Sequence, residues 1–265
     1  MTTLRLDKHH GLGNDFLVAL DPLDPDVDVA ALARRVCDRR RGIGADGLLG
    51  GSRNPDGSWT MVLHNADGSP AEISGNGIRC FAQAIARRTG SLEALVIRTD
   101  AGARTVELAA TNDPATVLAT VDMGEVRDLP EPDGWYLLGC APGRPAAHLS
   151  LGNPHSVVPV DDLGTVDLAA LGAKLPHINL EIIAAGPEPH AITMRVHERG
   201  VGITDACGTG ACAAAFAAHR WGLAVPVDGK LVVHMDGGSA SVWVGAATVS
   251  LQGPATHIAA AEVSL

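Results

Sequence analysis

The sequence is poor in lysine, and its cysteines lack the spacing of a metal or disulfide framework. Lys8, Lys174 and Lys230 are its only lysines and none lies in a glycine-rich loop, so a pyridoxal-phosphate Schiff base has no evident attachment point. The five cysteines are widely spread without a CxxC pair, which leaves any chemistry to individual thiols. The eleven histidines show no ligand spacing, which argues against a metal site. We therefore expect neither a cofactor nor a metal.

Positive charge and long apolar runs are also scarce. The formal net charge is −10, which disfavours nucleic acid and acidic membranes as partners. No run of residues approaches a bilayer span, and no basic N-terminal stretch leads into an apolar segment. These absences predict a soluble, cytoplasmic protein with a small-molecule partner. The length of 265 residues suits one large domain or two of ordinary size.

The most informative stretch joins a thiol, two glycines and a run of small apolar residues. Cys207-Gly208-Thr209-Gly210 precedes an alanine-rich segment with the composition of a buried helix. Glycines let successive backbone N–H groups converge on an anion. Because a thiol at a helix N-terminus lies at the positive end of the helix dipole, we expect a lowered pKa for Cys207. The alternative is a loop before a core helix, with Cys207 a small buried hydrophobic residue.

A second copy of this pattern occurs in the first half of the chain, where Ser74 takes the place of the thiol. Further features recur in the same order, and each pair is separated from its neighbours by similar distances. The matching pairs are Ser74-Gly75-Asn76-Gly77 with Cys207-Gly208-Thr209-Gly210, Asn65 with Glu198, and Gly13-Asn14-Asp15-Phe16 with Gly152-Asn153-Pro154-His155. Three matches in register predict a duplicated domain, with one ligand bound between two helix N-termini.

The distribution of strand and turn signals predicts the fold class and the domain boundary. Short strands joined by local hairpins, with one buried helix in each half, favour an α+β fold. The polar, proline-ended stretch Thr111–Pro114 is the best candidate linker. We therefore expect a first domain over residues 1–114, completed by 254–265, a second domain over 115–253, and an active site in the cleft between them.

A pseudo-symmetric cleft with one proton-carrying side chain on each side suits proton transfer at a stereocentre. One group removes a proton from one face of the carbon, and the other delivers a proton to the opposite face. Helix N-termini can bind the substrate carboxylate and stabilise the enolate-like charge. Glu198 and Arg199 could hold the ammonium and carboxylate of a second amino-acid group. Their alternative is a surface ion pair.

Motifs in order along nearly the whole chain resemble those of the diaminopimelate epimerase family. They are His10–Phe16, Gly42–Gly47, Asn65–Ser69, Gly75–Cys80, Gly152–His155, Glu198–Gly200 and Cys207–Gly210. The resemblance implies two pseudo-symmetric domains, each a curved mixed or antiparallel sheet wrapped around a central helix. It also implies cofactor-independent interconversion of LL- and meso-diaminopimelate by two-base proton transfer, in lysine and peptidoglycan precursor biosynthesis, with a homodimer as a candidate assembly.

The resemblance also assigns site residues. Cys207 and the residue at position 74 would be the catalytic acid/base pair, with His155 beside them and Glu198 contributing. The substrate-binding residues would be Asn14, Asn65, Asn153, Asn179, Glu198 and Arg199, with backbone from Gly75, Asn76, Gly208 and Thr209.

Ser74 departs from the family pattern, which has a catalytic cysteine there. A serine hydroxyl is too weak an acid to act as a base at neutral pH without help. An engineered trap, a natural variant in which neighbours activate Ser74, and altered activity are the three explanations. The competing functions are a cofactor-free racemase or epimerase of another amino acid, such as histidine or proline, and a non-catalytic diamino-acid-binding protein.

Overall fold

Residues 3–265 are described by a computed structural model, and they fall into two units. The first unit comprises the chain up to Asp122 together with Gly253–Leu265, and the second comprises Met123–Gln252. The chain therefore passes from one unit to the other twice, each time within a strand.

The first unit is a mixed sheet with two helices. Its strands are β1 (Thr3–Gly11), β2 (Asn14–Ala19), β3 (Gly47–Arg53), β4 (Trp59–Asn65), β5 (Pro70–Ala71), β6 (Leu95–Thr99), β7 (Gly102–Ala110) and β8 (Thr116–Glu125), the last of which continues into the second unit. Helix α1 (Val29–Cys37) follows β2, and helix α2 (Gly75–Thr89) follows β5. Asp28 caps α1, because its carboxylate accepts a hydrogen bond from the Ala31 N–H at 2.9 Å.

The second unit is built from the same kinds of element. Its strands are β9 (Arg127–Asp128), β10 (Ala147–Ser150), β11 (Pro154–Pro159), β12 (Asn179–Ala185), β13 (Ala191–Glu198), β14 (Gly202–Thr204), β15 (Lys230–Met235) and β16 (Gly238–Val244). Its helices are α3 (Leu168–Gly172), α4 (Gly208–Trp221) and two short 3₁₀ turns, Trp135–Leu138 and Leu163–Thr165. Strand β17 (Thr248–Ser264) begins in this unit and ends in the first.

Strand pairing is the same in both units. In the first, β1/β2 is antiparallel, β2/β3 parallel, β3/β4 and β4/β5 antiparallel, β4/β6 parallel, and β6/β7 and β7/β8 antiparallel. In the second, β10/β11 is antiparallel, β11/β12 parallel, β12/β13 and β13/β14 antiparallel, β13/β15 parallel, and β15/β16 and β16/β17 antiparallel. This correspondence makes the two units topological duplicates.

A buried helix forms the centre of each unit. Helix α2 is buried from Gly75 to Ala86 and contacts β1, β2, β4 and β7. Helix α4 is buried from Gly208 to Ala218 and contacts β10, β11, β12, β13, β15 and β16. Alanine and glycine lack bulk, so strands can approach α4 from several sides at once. The predicted α+β class, with two pseudo-symmetric units and a curved sheet around each central helix, is confirmed.

The expected position of the linker needs correction. The stretch Thr111–Pro114 lies in the turn between β7 and β8, inside the first unit, where the Thr116 hydroxyl donates to Asp113 Oδ2 at 2.7 Å. Polar residues and proline mark any sharp turn, so they do not separate a hairpin from a linker. Strand β17 runs without interruption from Thr248 to Ser264. No helix among residues 3–265 is long and apolar enough to cross a membrane.

Candidate active site

The residues that the sequence singles out fall into two groups, one in each unit. The first half-site lies at the N-terminus of α2, and the second lies at the N-terminus of α4. The first contains Asn14, Asn65, Ser74, Gly75 and Asn76, and the second contains Asn153, His155, Asn179, Glu198, Arg199, Cys207, Gly208 and Thr209.

The residues at positions 74 and 207 are helix caps of matching geometry. Ser74 Oγ accepts a hydrogen bond from the Gly77 N–H at 3.0 Å, and Cys207 Sγ accepts one from the Gly210 N–H at 3.4 Å. A Cβ at Gly77 would lie 3.1 Å from Ser74 Cβ, and a Cβ at Gly210 would lie 3.2 Å from Cys207 Sγ. Both glycines are therefore needed for the close approach of the capping side chain to the first helical turn.

A chain of amide hydrogen bonds fixes the orientation of Asn14 in the first half-site. Arg79 donates to Asn76 Oδ1 at 2.8 Å, Asn76 Nδ2 donates to Asn14 Oδ1 at 3.1 Å, and Asn14 Nδ2 donates to Asp46 Oδ2 at 2.8 Å. Arginine can only donate hydrogen bonds and an ionised carboxylate can only accept them. Arg79 at one end and Asp46 at the other therefore require the same orientation of the Asn76 and Asn14 amides.

An ion-pair network around the buried carboxylate of Asp15 supports the Asp46 end of this chain of hydrogen bonds. Asp15 is 6% exposed and contacts Lys8 Nζ at 2.9 Å and Arg39 at 2.7 Å, and Arg39 also binds Asp46 at 2.7 Å. Burial acts to raise the pKa of Asp15, but the hydrogen bonds from Arg39 and Lys8 hold that pKa below its usual value. Asp15 thus stays ionised and keeps Asp46 in place behind Asn14.

Asn65 ends β4 and is held by the turn that follows it. Its Nδ2 donates to Ser69 Oγ at 3.0 Å, and the Ser69 hydroxyl donates to Asp67 at 2.6 Å. The corresponding residue of the second unit is Glu198, which ends β13.

The thiol of Cys207 is buried, and this overturns the expectation of a lowered pKa. The residue is 4% exposed, and burial raises the pKa of its thiol well above the usual value. The carboxylates of Glu198 and Glu181 raise it further, against weaker opposing hydrogen bonds from Thr209 and Gly210. The helix dipole is real, but desolvation of a thiolate outweighs it here. Cys207 therefore rests as a thiol and needs a base beside it.

Glu198 is the carboxylate in hydrogen-bond contact with that thiol. It accepts a hydrogen bond from the Thr204 hydroxyl at 2.5 Å and also hydrogen-bonds Cys207. Burial raises the pKa of Glu198, although these hydrogen bonds lower it in part. A carboxylate whose pKa is raised is a stronger base than an exposed one, which suits it to exchange a proton with Cys207.

His155 lies in the same half-site and is completely enclosed. Its Nδ1 is 2.6 Å from Glu181 Oε1, and its Nε2 is 3.1 Å from Asn153 Oδ1. The sequence motifs point to His155 but not to Glu181. A lone carboxylate in the apolar run Leu180–Ile183 was the available signal, because such a residue in a buried strand requires a partner.

Asn179 organises the backbone around this group. Its Nδ2 donates to the Pro154 carbonyl at 2.9 Å, and its Oδ1 accepts from the Arg199 N–H at 2.9 Å. Asn153 Nδ2 is 3.3 Å from Thr209 Oγ1. The two asparagines thus connect β11, β13 and the start of α4.

Comparison with known proteins finds relatives along almost the whole chain. The family described as Diaminopimelate epimerase matches residues 7–129 and 148–258. The diaminopimelate epimerase of Acidiphilium cryptum is 38% identical over 97% of this chain and 95% of its own. That of Mycobacterium avium is also 38% identical, over 98% of this chain and 97% of its own.

Solved structures show the same fold at low sequence identity. A predicted epimerase from Pseudomonas aeruginosa superposes with a TM-score of 0.77 at 18% identity, and 99% of each chain is covered. A probable proline racemase from Agrobacterium radiobacter gives 0.74 at 16%, over 99% of this chain and 93% of its own. With the family match and the relatives over almost the full length, the chain belongs to the diaminopimelate epimerase family, whose members are isomerases.

Proposed function

We propose that this protein interconverts LL- and meso-diaminopimelate without a cofactor, by proton transfer on opposite faces of one α-carbon. The observation that carries the proposal is the equivalence of Ser74 and Cys207, which cap the central helices of two units with the same strand pairing. The relatives from Acidiphilium cryptum and Mycobacterium avium are both named for this activity, as diaminopimelate epimerases. Cys207 and Ser74 are the proposed residues on the two faces.

The Cys207 side of the reaction begins with a proton transfer inside the protein. The thiol passes its proton to the Glu198 carboxylate, to which it is hydrogen-bonded, leaving a thiolate and a carboxylic acid. The thiolate then takes the α-proton of the substrate and becomes a thiol again. The electron pair of the broken C–H bond moves into the adjacent carboxylate as an enolate-like charge. Glu198 keeps the first proton until the reverse step returns it.

Ser74 is a poorer proton-transfer group than Cys207. A hydroxyl delivers or accepts a proton poorly near neutral pH, so it needs a partner that carries one. His155 is the proposed partner, because imidazole exchanges protons in this pH range. We expect this half of the reaction to limit the rate of inversion.

Substrate recognition is proposed to use backbone donors and one guanidinium. The first N–H groups of α2 and α4, at Gly75, Asn76, Gly208 and Thr209, can bind the α-carboxylate. Arg199 is the proposed partner of the distal carboxylate. Because Glu198 hydrogen-bonds Cys207, we assign Glu198 first to proton transfer and second to the distal ammonium. A homodimer is part of the proposal and is tested by light scattering.

Proton NMR in D₂O with LL-diaminopimelate tests the function directly. We expect the α-proton signal to be lost and meso-diaminopimelate to accumulate. Exchange without inversion would support chemistry on the Cys207 side alone. Binding without exchange would overturn the proposal in favour of a diamino-acid-binding protein. Exchange with proline or histidine but not with diaminopimelate would favour a racemase of another amino acid.

A further inference from the structure

A buried carboxylate that the proposed proton transfer does not use contacts His155. Glu181 is 0% exposed, and its Oε1 lies 2.6 Å from His155 Nδ1. Both residues lie on the interior faces of β11 and β12, two strands that pair in parallel. We propose that Glu181 is a positioning residue that holds the imidazole of His155 in one tautomer and orientation. The proposal rests on the proposed function, in which His155 carries a proton.

The duplicated unit shows what the fold itself requires at these positions. His155 lies opposite Asn179 in the β11/β12 pair, and Phe16 lies opposite Gly47 in the β2/β3 pair. Two residues further along, the second strand carries Glu181 in one unit and Leu49 in the other. Phe16 and Leu49 are 4% and 0% exposed. The fold itself therefore accepts two hydrocarbon side chains at these places, and it does not require the histidine and the carboxylate found in the second unit.

The environment of the helix start confirms that the two positions correspond. A Cβ at Gly77 would lie 3.5 Å from Leu49 Cδ2, and a Cβ at Gly210 would lie 2.8 Å from Glu181 Oε1. Each side chain thus packs against the third residue of its central helix. For Glu181 this is the positive end of α4, which favours a negative charge. Its second oxygen, Oε2, is buried and has no hydrogen-bond partner among residues 3–265.

The geometry determines which nitrogen of His155 is left for chemistry. A carboxylate can only accept, so the proton of the short contact lies on Nδ1. Nε2 lies 3.1 Å from Asn153 Oδ1, which can only accept, so Nε2 donates in this contact when it carries a proton and is the nitrogen left for proton exchange. A buried carboxylate commonly fixes an imidazole in this way. Packing alone does not explain the pair, because apolar side chains of similar size usually replace a buried ion pair without loss of stability.

The first measurement is a substitution series in the full-length protein. Glu181→Leu removes the acceptor, Glu181→Gln keeps an acceptor but removes the charge, and His155→Phe with Glu181→Leu copies the pair found in the first unit. Glu188→Gln is the matched control, because Glu188 Oε2 lies 2.9 Å from His234 Nε2 in a partly exposed pair. We expect Glu181→Leu to lower epimerisation by about 10–10²-fold, within or below what a positioned acid/base group contributes. Glu181→Gln should fall between Glu181→Leu and the parent, and Glu188→Gln should match the parent.

The second measurement reads the tautomer without using activity. With ¹⁵N-labelled histidine, two-bond ¹H–¹⁵N spectra separate protonated from unprotonated ring nitrogens, and His155 is assigned by its absence in His155→Phe. We expect Nδ1 to be protonated in the parent protein and in Glu181→Gln. In Glu181→Leu the proton should leave Nδ1 or the ring signals should broaden. The double variant should unfold at or above the parent's midpoint temperature and yet be inactive.

These outcomes separate this proposal from the proposed function. If the parent protein does not act on diaminopimelate, the proposed function fails, and the ¹⁵N spectrum still decides whether Glu181 fixes the ring. An unprotonated Nδ1 in the parent, or an unchanged spectrum in Glu181→Leu, overturns the positioning role. Parent-like epimerisation by a folded Glu181→Leu overturns it as well.

Discussion

Ser74 and Cys207 occupy the same capping position with nearly the same backbone angles. Ser74 has φ −132° and ψ 123°, and Cys207 has φ −127° and ψ 116°. Each side chain accepts a hydrogen bond from the N–H three residues further on. As helix caps a hydroxyl and a thiol can stand in for each other, but as proton carriers they differ greatly in acidity. Having serine at position 74 therefore leaves the fold intact and changes only the proton transfer in the first half-site.

Ser74→Cys should raise the rate of epimerisation of LL-diaminopimelate. A thiol exchanges protons near neutral pH more readily than a hydroxyl, and positioned acid/base groups contribute about 10²–10⁴-fold, so we expect a gain of that order. Exchange of the α-proton and formation of the meso isomer are followed by NMR in D₂O.

Two variants control this experiment. Cys207→Ser should abolish exchange from the Cys207 face, and Cys140→Ser should change nothing, because Cys140 is an exposed cysteine outside both half-sites. The hypothesis would be falsified by a parent protein that epimerises at full speed and gains nothing from Ser74→Cys. His155, held by Glu181, would then be the activator of the serine.

Arg199→Ala and Glu198→Ala should each weaken the binding of diaminopimelate. Each removes a charged partner from a desolvated group, a loss that typically costs about 2–5 kcal/mol. Calorimetric titration of the binding-competent protein measures the change. Arg195→Ala is the matched control, since Arg195 lies on β13, the strand that ends just before Arg199, and pairs with Asp236 at 3.3 Å. Unchanged affinity in both variants would favour a surface role for Glu198 and Arg199.

Cys207 should react slowly with iodoacetamide in the free protein. The thiolate is the reactive species, and burial raises the pKa of this thiol. Cys140 is exposed and should be labelled first, as peptide mass spectrometry will show, and Cys140→Ser should remove that early label.

Activity should need no reductant, because Ser74 cannot form a disulfide with Cys207. Strong rescue by dithiothreitol would mean that Cys207 pairs with another cysteine.

Acid should destabilise the first unit through His9. Burial lowers the pKa of His9 from 6.5 to about 4, a hydrogen bond with Gln83 opposes this, and His257, Asp7 and Arg87 act weakly. Because the folded pKa is the lower one, the stability from His9 is fully present above pH 6.5 and is lost as the pH falls towards 4. At about 1.4 kcal/mol per pKa unit, the loss reaches about 3 kcal/mol.

Denaturant unfolding at pH 7 and at pH 4.5 measures this loss. His9→Phe keeps a ring in the buried position and should flatten the difference between the two pH values, whereas His10→Asn, at the partly exposed neighbour, should preserve it. An equal pH dependence in the parent and in His9→Phe would refute the assignment to His9.

Local sequence features predicted much of the architecture. The glycines after Ser74 and Cys207, and the small residues behind them, predicted where α2 and α4 start, and the observed helices do begin at Gly75 and Gly208. The repeat of motifs in register predicted a duplication, and strand pairing bears it out. Capping, turn formation and hairpin signals depend on residues close together in the chain, so one sequence suffices to detect them.

The proton chemistry of the second half-site could be decided only by the tertiary structure. The sequence alone suggests a lowered pKa for Cys207, because the helix dipole is a local property, whereas the observed rise comes from burial and from two carboxylates on β12 and β13. Glu181 reaches His155 across a parallel strand pair, 26 residues away. Desolvation and charge pairing sum over groups that are distant in sequence, so their balance exists only once the strands have packed around the helix.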